Sequence, residues 1–343
     1  MPHPWANAAL LAFVAAAVAS GIAGLLDGVT TQRWVFWAHA IAAYAIVVLL
    51  LPKAEIVVRS LRRRRRGGLG PEHRAFLLML GLLVAVLATG LIWVLGGPLY
   101  VGVSLINLHA YLAIGMACLL VLHVVRRGYA LRIPAARGRG AALRLTGVGI
   151  AGAVLWGAER GLERAVGRDR VRRYTGSYER GSFGGRFPAV IWFRDRRPQI
   201  DEATYELRVH GDVERELRFD LASLRGRRVE VLRAKLDCTG GWFTEQNWQG
   251  VALADLLAEA GPNGGARSVL VRSRTGYARR MPLDEARGCL LALAATGVPL
   301  RPGNGAPLRL VAPGRRGYDW VKWVDEVEVL DTPAWLQSPL PLS

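Results

Sequence analysis

Lysine is nearly absent from this sequence: of 45 cationic residues only Lys53, Lys235 and Lys322 are lysines. Where arginine is the default cation, a lysine marks a place that needs a compact point charge, or stands there by chance. Cysteine is as scarce. Cys118, Cys238 and Cys289 are too few for a disulfide framework, and no second Cys or His stands near Cys238 at zinc spacing. Acidic residues are also short, 27 against 45 basic ones, for a formal charge of +18. In a soluble protein that excess would suggest a nucleic-acid partner. Here it is concentrated at 62–66 and 126–144, directly beside apolar stretches, where arginines fix orientation in a membrane. No nucleic-acid partner is expected.

Long apolar runs fill the first half. Five stretches, near 5–26, 34–52, 75–96, 103–125 and 141–158, read as membrane spans, which take roughly 17–25 residues. The fifth is the shortest and is rich in glycine. The first lacks the basic start of a cleaved signal and is followed by more spans. The two basic loops belong on the cytoplasmic side, so the N-terminus is cytoplasmic and five spans leave everything after about residue 160 outside. This predicts a five-span helical domain over 1–160, a linker over 161–174 and an exported domain over 175–335. The chain is then a multi-pass protein of the cell (inner or plasma) membrane, with the lipid bilayer as its first partner.

Histidines inside spans are functional candidates because an ionisable group is costly there. His39 and His109 lie towards the outer face; His73 and His123 lie at the inner one. His109 and His123 are fourteen residues apart, about 21 Å and nearly four whole turns, so they point the same way at opposite faces. Such placement suits two stacked b haems, held by His39 with His109 and by His73 with His123. An interfacial role is the alternative for His73 and His123. These features resemble the small di-haem b-type membrane cytochromes.

Beyond the linker the sequence alternates in short segments. Residues 205–212 read as a strand entering a hairpin turn, 229–236 as a strand, 251–260 as a helix, and 268–273, 308–311 and 321–330 as further strands. The expected fold is mixed α+β. Cys289 falls in 286–295, read as helical and apolar, and is expected to be a buried thiol. His210, at a strand end, is expected at the surface.

The central motif is Cys238-Thr239-Gly240-Gly241-Trp242. A cysteine ending an apolar strand at a two-glycine turn presents its sulfur while the backbone approaches something bulky. It could be a nucleophile, half of a disulfide with Cys289, or a ligand to a soft metal. With Trp248-Gln249-Gly250-Val251, Gly305-Ala306-Pro307-Leu308-Arg309-Leu310 and Gly317-Tyr318-Asp319-Trp320-Val321-Lys322-Trp323, the motif resembles the sulfite oxidase family of molybdopterin enzymes over about 175–332.

That resemblance implies a molybdenum–molybdopterin cofactor with Cys238 as the metal's thiolate. Thr239, Gly240 and the Gly317–Lys322 block would hold the pterin, Tyr318 among them. Lys322 would be the charge partner of its phosphate, with Arg315 and Arg316 nearby. Ser182, Arg186 and Phe187 would close the pocket, and Tyr277 would reach the substrate. It further implies oxygen-atom exchange with a small-molecule oxyanion or sulfoxide, with electrons passing through the haems to or from quinone or another carrier. A haem-free anchor carrying the same domain, and a binding protein with a Cys238–Cys289 disulfide, are the alternatives. Export of a folded molybdopterin domain usually uses adjacent arginines, whereas Arg137-Gly138-Arg139 precedes the fifth span.

Overall fold

The apolar stretches are helices in the computed structural model, which describes residues 4–26, 33–64, 71–101, 103–126, 139–165, 171–191 and 195–338. They are α1 (Pro4–Leu26), α2 (Arg33–Arg64), α3 (Pro71–Gly96), α4 (Leu105–Arg126) and α5 (Arg139–Ala165). A two-stranded hairpin, β1 (Tyr100–Val101) and β2 (Val103–Ser104), leads into α4. Residues 65–66 and 127–138, which hold much of the basic runs, lie outside the described residues. So do 166–170 of the linker and the side chain of His73.

The chain divides into two units, Met1–Leu25 with Thr31–Gly176, and Leu26–Thr30 with Ser177–Ser343. In the first, α1 to α4 are each long and apolar enough to cross a membrane. The count differs from the expected five. α5 is a helix, but charges at Arg144 and from Glu159 onward leave only residues 145–158 uncharged. Val14, Ile46, Leu83 and Met116 bring α1 to α4 together, and α5 runs along α2.

The second unit is built on two sheets. One joins β3 (Tyr178–Glu179), β6 (Glu230–Cys238), β7 (Trp242–Ala252), β10 (Leu290–Ala295), β11 (Val298–Pro299) and β12 (Arg309–Val311) around β7 and β10. The other runs β5 (Leu217–Asp220), β4 (Glu206–Gly211), β13 (Val324–Leu330), β8 (Ser268–Ser273), β9 (Ala278–Pro282), with β4 and β13 parallel. Three short helices connect them: α6 (Leu221–Gly226), α7 (Leu253–Ala260) and α8 (Leu283–Arg287). Alternation explains the second sheet: Leu207 and Val209 of β4, and Val327 and Val329 of β13, turn inward while Arg208, Glu326 and Glu328 turn out. α7 buries Leu253, Leu256, Leu257 and Ala260, one helical stripe, and Gly261 ends it at φ 67°.

Two expectations need correction. Residues 290–295 form a strand, not a helix: β10 lies between β7 and β12, with Leu290, Leu291 and Ala292 all buried. A strand covered on both faces reads as an unbroken apolar run and loses the alternation that would reveal it. His210 is not a surface residue. Its ring is mostly covered and Nε2 lies 2.6 Å from Glu326 Oε1 across the β4–β13 pair.

Candidate active site

Cys238 is placed by the β6–β7 hairpin. The two strands stay in register to the end, where Cys238 pairs with Trp242 around Thr239-Gly240-Gly241. Gly241 takes φ 85°, a conformation that suits glycine, and its N–H donates to Cys238 O at 3.0 Å. The Gly240 N–H donates to Cys238 Sγ at 3.3 Å, which fixes the direction of the sulfur. Burial pushes the thiol above its ordinary range; the Gly240 N–H and the Arg316 charge only partly offset this. A free nucleophilic thiolate is therefore disfavoured, while a soft cation replacing the proton would hold the sulfur.

A cavity opens over the sulfur, lined by Cys238 and Leu236 of β6, Trp242 of β7, Arg309 of β12, Gly317 and Lys322, with Pro188 and Val190 from an extended segment. Glycine suits position 317: a methyl group there would lie a tight 3.0 Å from Cys238 Cα and 3.1 Å from Asp237 O. Two cations stand in this wall, Arg309 buried and Lys322 half-buried. Arg309 Nη1 donates to Asn304 O at 2.8 Å, its guanidinium lies beside the Trp248 and Trp320 rings, and burial pulls its pKa down to about 10. Lys322 Nζ donates to Val190 O and Gly303 O, and burial, with Arg309 beside it, pulls its pKa down to about 7. The cavity lining includes no carboxylate. Among the described residues, Arg309 Nε, Arg316 Nε and Trp242 Nε1 are buried without a hydrogen-bond partner. Such a wall calls for an anion or another acceptor-rich group.

Of the residues singled out in the sequence, Cys238, Gly317 and Lys322 meet in this cavity and Thr239 and Gly240 form its turn. Arg186 and Phe187 precede Pro188, and Phe187 stacks edge-on against Trp248. Arg316 has its charge 3.0 Å from Asp237 Oδ1, and Arg315 pairs with Glu285 at 2.8 Å. Tyr277 is not in the cavity lining; its hydroxyl donates to Tyr318 O and braces the turn Gly317–Asp319 from behind. Ser182 is also elsewhere, its hydroxyl accepting from the Glu245 N–H at 3.0 Å. Cys289 is buried beside Met281, and both Cys238 and Cys289 are free thiols, which removes the disulfide alternative. Sequence reading missed Arg309, Trp242 and Asp237 as site residues. A lone arginine in the apolar run Pro307–Val311 and a lone carboxylate at the end of β6 were the signals available.

In the first unit, His39 and His109 face each other with ring centroids 6.1 Å apart and planes at 83°. Each Nδ1 lies at hydrogen-bond distance from a helix carbonyl, Ala17 O at 2.8 Å and Val86 O at 2.9 Å. His123 stands in the last turn of α4.

Residues 195–336 match the family model for the oxidoreductase molybdopterin binding domain. Among curated proteins, the chain is 31% identical over 181 residues to the protein-methionine-sulfoxide reductase catalytic subunit MsrP of Gluconobacter oxydans, covering 47% of this chain and 56% of that protein. It is 31% identical over 171 residues to the nitrate reductase (NADPH) of Mycosarcoma maydis, covering 37% of this chain and 17% of that protein. Among solved structures, the sulfane dehydrogenase SoxCD of Paracoccus pantotrophus matches 40% of each chain at 27% identity and a TM-score of 0.38. The chain thus spans about half, or less, of the length of these relatives. The second unit carries a match to an oxidoreductase molybdopterin binding domain, and the curated relatives it resembles are named as reductases.

Proposed function

We propose that this chain is a membrane-bound molybdopterin oxidoreductase that exchanges an oxygen atom with a small oxyanion or a sulfoxide. Its electrons would pass by a haem between His39 and His109 to or from quinone or another carrier. The observation that carries the reading is the cavity over Cys238: a half-buried thiol, a buried arginine and a half-buried lysine, unpartnered donors and no carboxylate in its lining. A molybdopterin fits that donor set, since it brings an anionic phosphate, sulfur ligands and a soft metal. The sulfoxide branch of the reading rests on the similarity to a protein-methionine-sulfoxide reductase subunit.

The cofactor, once bound, supplies two-electron oxygen-atom chemistry. The chain's own residues do the rest. Cys238 gives its sulfur, aimed by the Gly240 N–H. Gly240 and Gly317 let the backbone come close. Arg309 and Lys322 neutralise negative charge from the rear wall, and the Trp248 and Trp320 rings keep water from Arg309. Arg316, paired with Asp237, holds the Gly317 turn against the strand of Cys238.

In the first unit the fit to a haem rests on two imidazoles. With both Nδ1 atoms turned to carbonyls, both Nε2 atoms remain for a metal. At about 2 Å per metal–nitrogen bond, rings centred 6.1 Å apart can share one ion. A haem there would supply one-electron transfer. The catalytic unit is placed outside the membrane in this reading, for reasons argued below.

The test is metal content of the detergent-purified full chain beside a Cys238→Ser variant. Molybdenum near one atom per chain in the wild type, lost in a variant that still folds, is the expected result. Absence of molybdenum from folded, cofactor-supplied wild type would sink the reading.

A further inference from the structure

Four tryptophans surround the site, and three have their indole nitrogens satisfied by the fold. Trp248 Nε1 donates to Ala234 O at 3.0 Å, Trp320 Nε1 to Arg315 O at 3.2 Å, and Trp323 Nε1 to Pro302 O at 2.7 Å. Trp242 is the exception. It is 2% exposed, yet its Nε1 has no hydrogen-bond partner among the described residues. A buried N–H left so is costly, and in a native fold it calls for an acceptor to fill the place.

The position of the orphan is informative. A methyl group on Gly240 would lie 3.4 Å from Cys238 Sγ and 3.6 Å from Trp242 Nε1. The side-chain-free space over Gly240 therefore touches both the sulfur and the indole N–H, and both residues line the same cavity. The ring itself is locked: Trp242 pairs with Cys238 across the hairpin and packs against Phe187 at 6.3 Å between centroids. A rigid indole has one donor and no acceptor, so it selects for an acceptor atom.

We propose that Trp242 is a further binding residue of this site, its indole N–H donating to an oxygen acceptor held beside Cys238. The inference rests on the molybdopterin reading of the cavity. The acceptor belongs either to the metal centre itself or to an oxyanion seated on it, and the experiment separates the two.

The full chain, loaded with cofactor and reduced by one electron, is examined for hyperfine coupling between the molybdenum spin and 15N in protein grown on indole-15N tryptophan. Wild type and Trp242→Phe are compared at equal molybdenum content, with and without inorganic phosphate as the oxyanion probe. A 15N coupling in the wild type that vanishes in Trp242→Phe supports the proposal. Coupling without phosphate assigns the acceptor to the metal centre, and coupling only with phosphate assigns it to a bound oxyanion. No coupling under either condition, or one that survives Trp242→Phe, overturns it. Should Trp242→Phe fail to take up metal, the wild-type labelled spectrum decides alone, because the other three indoles donate to backbone carbonyls. Wild type without molybdenum overturns the parent reading, and this inference with it.

Discussion

Lys322 is a cation held where a cation is costly, and that cost has a pH signature. Burial, with Arg309 beside it, lowers its pKa from 10.5 to about 7. Between those values the unfolded chain binds a proton that the cofactor-free fold does not, so stability rises with pH across that window; below about 7 the penalty is fully present. Lys322→Met should remove up to one proton's worth of slope, about 1.4 kcal/mol per pH unit. Thermal unfolding of cofactor-free protein from neutral to alkaline pH reads this directly, and parallel curves for variant and wild type would refute it. The same variant should retain less molybdenum, since a bound anion is what the charge awaits. The two lysines near the site are placed differently: Lys322 lines the cavity, whereas Lys235, also close to Cys238 in sequence, is an exposed partner of Glu245 at 3.1 Å. Composition flags an unusual residue, but only burial distinguishes a site cation from a surface pair. Arg309 shows the converse, since one arginine among 45 cations is marked in the sequence only by its apolar neighbours, and its role needs the guanidinium to be found beside two tryptophans.

Among the elements, β7 is where the site and the core depend on one another. It pairs with both β6 and β10, so an error on its β10 side reaches Cys238 on the other. Gly250 permits that closeness: a methyl group there would lie 2.0 Å from Leu291 O and 2.7 Å from Ala292 Cα. Both atoms are backbone and cannot swing aside. Gly250→Ala should cost about 3 kcal/mol or more by overpacking, read as a loss of folded yield or a fall in Tm; an unchanged Tm would show that the strands can part. The motif Trp248–Val251 was legible as a family block, but its physical reason needed β10 as a neighbour, and β10 was misread as helix. In the first unit the helices form two matching hairpins. Ala17, Ser20 and Gly21 of α1 surround His39 of α2 as Val86, Thr89 and Gly90 of α3 surround His109 of α4. The histidines were visible in the sequence, whereas this duplicated setting spread over four helices was not. His39→Ala or His109→Ala should each abolish the reduced b-type absorption of the purified chain, and His123→Ala should leave it. Loss of half the absorption in His123→Ala would instead mean a second haem.

For the whole molecule, on the proposed membrane-bound reading, one helix would decide on which side of the bilayer the chemistry takes place. Four crossings return the chain to the side of its N-terminus; a fifth carries the catalytic unit across. By composition α5 falls short, because residues 145–158 cover about 21 Å against a hydrocarbon core of about 30 Å. Its surroundings argue the other way. Gly152, at the middle of that run, lies so close to α2 that a methyl group would be 2.6 Å from Ile41 O and 2.9 Å from Ala45 N. Ile41 and Ala45 sit midway along the apolar part of α2, Arg33–Leu51, so the centre of α5 is level with the centre of a candidate span. Backbones brought together over a glycine are how helices pack in lipid, where apolar side chains gain little by meeting. The charged ends are also managed. Arg144 can extend its stem towards the headgroups, and Arg172 Nη2 lies 2.6 Å from Glu163 and 3.4 Å from Glu159. On the proposed reading, with the basic loops on the inner side, α5 would be the fifth crossing and the catalytic unit would be external. Protease added to intact spheroplasts should release the second unit, and inside-out vesicles should protect it. The reverse pattern would leave α5 lying outside the bilayer and the enzyme facing the cytoplasm. Gly152→Leu should weaken the α2–α5 contact and lower the fraction of chains with the external orientation, measured by the same digestion.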